Sequence, residues 1–160
     1  MGWFFSIIAA IDRLIRWVVA ALLIGLLAIV GLQVVDRHFI DVPIAAPDAY
    51  ARILVIWLTF LGFALAVRDG LAIRVDLIDH WLSPRLRLWF TVGFDLLILA
   101  VLTVLIQKGW LLVVLGQDQS ILGTDLTTAV PNAGLWVGAI LIFLFVTARL
   151  IGLRAGRGQD

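Results

Sequence analysis

Four long apolar runs dominate this 160-residue chain, separated by short segments where charge, proline and glycine collect. Residues 17–35, 49–67, 88–106 and 133–153 each offer about 20 apolar residues, the helical length that crosses a hydrocarbon core of about 30 Å. The pattern predicts an all-α membrane protein of four transmembrane helices in a single membrane domain over 1–160. Helix signals sit where the runs begin and end. Pro47-Asp48 opens the second run with a first-turn proline and an acid at the positive end of the dipole, and Arg68-Asp69-Gly70 closes it. Ser83-Pro84 announces the third as an N-cap followed by an N1 proline, and Thr128 and Pro131 announce the fourth in the same manner.

One connecting segment has a helical pattern of its own. Across residues 71–83, Leu71, Val75, Ile78 and Leu82 form an apolar stripe opposite Asp76, Asp79, His80 and Ser83. This predicts an amphipathic helix lying on the membrane surface, anchored by Trp81. Its simplest role is an ordinary connector; a docking or gating helix is the sharper alternative.

Charge sets the orientation. Nine of the twelve basic residues (Arg13, Arg16, Arg68, Arg74, Arg85, Arg87, Arg149, Arg154 and Arg157) fall on the side that holds both termini, leaving Arg37, Arg52 and Lys108 on the other. Basic loops stay in the cytoplasm, so both termini are expected there, with residues 71–83 on the same face. No charged segment precedes the apolar stretch of residues 1–11, while Asp12, Arg13 and Arg16 follow it, the reverse of a cleavable signal, so the N-terminus is expected to be retained.

Composition narrows the chemistry. The chain is 63% hydrophobic and 14% charged, with a mean hydropathy of +1.12, a balance that a soluble domain of this size could not bury. A net charge of +1 argues against nucleic-acid binding. Without cysteine there is no disulfide, thiolate metal site or CxxC redox centre. His38 and His80 lie outside the runs and on opposite sides of the expected membrane, so they cannot jointly hold a haem. No cofactor or metal is expected.

Within the runs, Asp95 is the one acid, placed roughly 10 Å into the third span by 1.5 Å per residue. A carboxylate there could serve as the proton and cation site of a small antiporter. It could equally be paired with an arginine near the same end of a neighbouring span, such as Arg16 or Arg68, or be kept protonated by burial. No second polar group in the other spans accompanies it as a transport path would require. Lys108, beside Trp110, can snorkel to headgroups. Gln33 sits near the outer end of span one, and Thr59, Thr103 and Thr147 can bond their own helices. Packing signals are more plentiful: Ala21-x3-Gly25, Gly62-x3-Ala66 and Gly134-x3-Gly138 place small residues one turn apart. Of the seven tryptophans, Trp17, Trp81, Trp89 and Trp110 suit interface belts, whereas Trp57 and Trp136 lie where another helix could cover them. Much apolar surface with little polar interior suggests a subunit that packs against another membrane protein.

Spans one and two carry a denser pattern. Arg37-His38-Phe39 is followed by Asp48, Arg52, the run Trp57-Leu58-Thr59-Phe60-Leu61-Gly62, Ala66, Arg68, Gly70, Ile73 and Val75-Asp76. This resembles the small membrane subunit of tripartite ATP-independent periplasmic (TRAP) transporters, most closely over residues 34–76, with the four-helix layout and Pro131 extending the likeness over nearly the whole chain. Ala46-Pro47-Asp48-Ala49 keeps one of the family's two acids and lacks its tryptophan, and Ala72 replaces its histidine, as in a divergent branch. The resemblance implies a bacterial inner-membrane complex of a periplasmic substrate-binding protein, a large multi-span subunit carrying substrate and sodium, and this small scaffold subunit in contact with membrane lipid. It makes Arg37, Asp48, Arg52, Trp57, Gly62, Arg68 and Asp76 candidates for partner contact and assembly, joined on packing grounds by Asp95, Gly134 and Gly138. The Arg37–Asp48 turn would face an arriving binding protein. Two competing readings are a proton-coupled antiporter working through Asp95 and a membrane enzyme, for which no catalytic constellation is visible.

Overall fold

The computed structural model describes residues 2–36, 47–69 and 84–156. Four helices account for most of them: α1 (Gly2–Val35), α2 (Pro47–Arg68), α3 (Pro84–Leu115) and α4 (Ala129–Gly156). All four are long and apolar enough to cross a membrane, and no strand occurs among the described residues. The interfacial helix expected over 71–83, together with Arg37 and Asp76, lies outside those residues.

Each helix begins or ends beyond the span read from hydropathy. At 1.5 Å per residue the 34 residues of α1 reach about 51 Å and the 32 of α3 about 48 Å, well over the thickness of a hydrocarbon core. Charges that flank the apolar runs, among them Arg16, Lys108 and Arg149, sit inside continuous helix, because a charge changes what a helix faces without breaking its backbone hydrogen bonds. α2 and α3 start on Pro47 and Pro84, as their proline signals require. α4 differs. It starts at Ala129, with Pro131 inside the first turn where its missing N–H costs nothing. The Thr128 hydroxyl turns back to donate to the Gln119 carbonyl at 2.9 Å instead of capping α4.

The helices lie in the order α1–α2–α4–α3, with α2 and α4 side by side and running the same way. α1 packs antiparallel on α2, and α3 antiparallel on α4. The buried core is shared chiefly by Leu61, Ala64, Leu65 and Val67 of α2 with Ala139, Ile142, Phe145 and Val146 of α4. The outer faces of α1 and α3 stay open: Trp17, Ile24, Leu27, Trp89 and Leu97 are each more than half exposed. Such surface suits lipid or another membrane protein and not water.

Two glycines set the α2–α4 seam. A Cβ on Gly134 would stand 3.2 Å from the Trp57 ring, and one on Gly138 only 2.7 Å from the Phe60 Cβ. At Gly138 only hydrogen fits, and at Gly134 a methyl would press on the indole, which is what lets the two helices approach. The Trp57 indole N–H then donates to the Val130 carbonyl at 3.1 Å, bonding α2 to the first turn of α4. Between α3 and α4, Gly109 admits Leu135 and Trp136, whose indole donates to the Ile106 carbonyl at 3.1 Å. Its ring meets Trp110 at 5.1 Å between centroids.

Candidate functional site

Six charged side chains, Asp12, Arg16, Arg68, Asp69, Asp95 and Arg149, form ion pairs near the arginine-rich end of the described helices. Asp95 of α3 is fully buried and forms an ion pair with Arg149 of α4, which reaches both carboxylate oxygens; the Nε–Oδ2 contact is 3.2 Å. This corrects the expected partners: neither Arg16 nor Arg68 meets Asp95. Those two arginines serve the other helix pair. Arg16 donates to Asp12 one turn earlier on α1 at 3.2 Å and to Asp69 at the end of α2 at 2.7 Å. Arg68 reaches Asp12 at 3.0 Å and lies 6.0 Å from the ring centre of Phe145, one turn from Arg149. So one ion-pair set clamps α1 to α2, another clamps α3 to α4, and Arg68 lies between them.

Burial decides what each pair is worth. The Arg16–Asp69 contact is exposed, and such pairs contribute about 0–1 kcal/mol. Breaking a buried pair by removing one partner costs about 3–5 kcal/mol, because the survivor is left uncompensated. Asp95 belongs to the second kind. A carboxylate whose two oxygens are both engaged by a guanidinium on the neighbouring helix is committed to holding that helix and is a poor site for a travelling ion.

The other expected site residues are spread over the molecule. Asp48, at the opposite end of α2, accepts from the Gln33 amide at 2.9 Å and joins α1 to α2 there. Arg52 is exposed on α2. Trp57, Gly134 and Gly138 meet within the chain, at the α2–α4 seam. Gly62 has no atom within 4 Å of where its Cβ would lie, so it opens outward as a notch in α2. Thr59, Thr103 and Thr147 each donate to their own helix four residues back, at 2.7, 2.8 and 2.7 Å, and so provide no polar lining.

The pairing of Asp12 and Asp69 with Arg16, and of Arg149 with Asp95, is absent from the expectations above. The i,i+4 spacing of Asp12 and Arg16 was a usable signal. A cleft of about 370 Å³ opens between α2, α3 and α4, walled by Phe60, Phe63, Val101 and Leu105 over a floor of Ala139 and Ile142. Its walls are hydrocarbon and offer a charged solute no ion pair or hydrogen bond. Among the described residues, no group of acids and histidines could hold a metal ion.

The family comparison says which system the chain is part of. The model of the DctQ component of tripartite ATP-independent periplasmic transporters matches residues 26–156. The chain belongs to this family. A DctQ protein is the small membrane component of a TRAP transporter, a system that also has a large membrane subunit and a periplasmic binding protein; it is a transporter component and not an enzyme. No curated protein matches the chain. The matched region takes in α2, α3, α4 and the last ten residues of α1, and so includes the Asp95–Arg149 pair and the Trp57–Gly134 seam.

Proposed function

We propose that this DctQ component is the static scaffold of a sodium-coupled importer of a small organic anion, packing against the large membrane subunit in a bacterial inner membrane with both termini in the cytoplasm. The observation that carries this reading is the internal neutralisation of Asp95. The one acid deep in the apolar runs is paired with Arg149 within the same chain, and Thr59, Thr103 and Thr147 bond their own helices. A subunit built this way contributes surface and rigidity, while solute and ion pass through the large subunit. Arg37, Asp48, Arg52, Gly62, Arg68 and Asp76 remain the proposed positions of assembly and partner contact. The distribution of arginines supports the orientation.

Uptake into proteoliposomes tests this. With all three components and an inward sodium gradient, a carboxylate or sulfonate solute should accumulate, and omission of this chain should abolish accumulation. Transport by this chain alone, or full transport without it, would overturn the reading.

A further inference from the structure

On the face opposite the arginine-rich layer, residues 116–128 do more than link α3 to α4. A 3-10 turn at Gly116–Asp118 leads into a small hairpin closed by the pairing of Ser120 with Thr127. The Thr128 N–H donates to the Gln119 carbonyl at 2.8 Å, and the Ile121 N–H to the Leu126 carbonyl at 2.9 Å. At the tip, both the N–H and the hydroxyl of Thr124 donate to the Ile121 carbonyl at 3.0 Å, and Gly123 takes a φ of 82°, open to glycine and strained for other residues. Gly116 is wedged so closely that a Cβ would lie 2.7 Å from the Ala129 nitrogen. The loop is a fixed object.

What it holds out is Leu122, 95% exposed, the highest value among the large hydrophobic side chains of the described residues. An apolar side chain presented to water by a hydrogen-bonded turn is the form of a docking anchor, since a rigid anchor forfeits little entropy when a pocket closes over it. Two occupants are conceivable, lipid or protein, and the chemistry of the hairpin separates them. Anchors in the headgroup layer rely on Trp, Tyr, Lys and Arg. Residues 116–128 contain none of these; their only charges are Asp118 and Asp125, both exposed, which anionic lipid would repel.

We infer that the 116–128 hairpin is a docking element for a soluble protein on the periplasmic side, one that presents an apolar pocket for Leu122 flanked by lysine or arginine facing Asp118 and Asp125. The inference rests on the functional reading above, which supplies both the orientation and a soluble component to arrive there.

The chain has no cysteine, so Leu122→Cys offers a unique attachment point for an environment-sensitive fluorophore. The labelled chain, in complex with the large subunit, is placed in vesicles of phosphatidylethanolamine and phosphatidylglycerol. The label should be quenched by aqueous iodide and ignore lipid-borne quenchers; the purified periplasmic binding protein of the same system should then shift its emission and shield it from iodide. Quenching from within the lipid, or no response to saturating binding protein, overturns the inference. In parallel, Leu122→Asp and the double variant Asp118→Lys/Asp125→Lys should each weaken binding of that protein at least tenfold while retaining the large subunit in full. Unchanged affinity in both contradicts the proposal. A native chain that retains no large subunit removes the functional reading and the inference together; a complex that forms but whose label stays silent removes the inference alone.

Discussion

Asp95 and Arg149 face each other across the α3–α4 contact, the acid fully buried and the arginine about a quarter exposed. The arrangement places one charge beyond the reach of water and leaves its partner a path to the membrane surface along its own stem.

Asymmetric consequences follow for substitution. Asp95→Leu leaves a guanidinium that can still snorkel, whereas Arg149→Leu strands a buried carboxylate. Arg149→Leu should therefore lower stability by about 3–5 kcal/mol and Asp95→Leu by less. Thermal unfolding in detergent measures both. The swap Asp95→Arg/Arg149→Asp should recover part of the loss, as a true pair must.

Asp95→Asn separates structure from transport. A neutral amide keeps the shape and some hydrogen bonding to Arg149, so a folded variant in the three-component system should retain sodium-driven uptake. Loss of uptake in a complex of normal yield would revive the antiporter reading, in which the carboxylate itself carries the ion.

The glycines divide into two classes. Gly138→Leu would drive a side chain into the Phe60 backbone, and Gly134→Leu into the Trp57 ring, so both should unfold or separate the α2–α4 pair, at a cost above the 1–3 kcal/mol or so typical of overpacking. Gly62→Leu meets open space and should leave the melting temperature of the isolated chain unchanged. If α2 presents that notch to the large subunit, the same variant lowers the yield of complex; comparing the two measurements assigns each glycine to an internal or an external contact.

Orientation is open to single-cysteine labelling in the otherwise cysteine-free chain. Ala9→Cys and Ser120→Cys lie on exposed positions at opposite ends of the helices. In intact spheroplasts a membrane-impermeant maleimide should modify position 120 and spare position 9 until the membrane is opened. The reverse pattern would invert the topology.

Much of this architecture was legible in the sequence because the bilayer constrains it so strongly. Pro47 and Pro84 mark helix starts on steric grounds alone, and four apolar runs leave few alternatives. Less legible were contacts that depend on which helices become neighbours. Asp95 was visible as a buried acid, yet its partner could be named only once α3 was seen to pack antiparallel to α4, which brings Arg149 to its level. The small-residue spacing marks Gly134 and Gly138 as close-contact positions, but whether the contact lies inside the chain or with a partner depends on the parallel register of α2 and α4. The hairpin at 116–128 was hidden for another reason. Its order comes from Thr124, Thr128 and the two glycines bonding or packing at short range, and polar connecting residues carry no periodicity to reveal that.

The proposed scaffold role of this DctQ component requires that it bind the large membrane subunit. Affinity purification of the tagged chain, coexpressed with the large subunit and solubilised in mild detergent, measures it most directly. The two should elute together in a fixed ratio, and should do so still when Leu122 is replaced. A chain that elutes alone under conditions where both proteins are folded would contradict it.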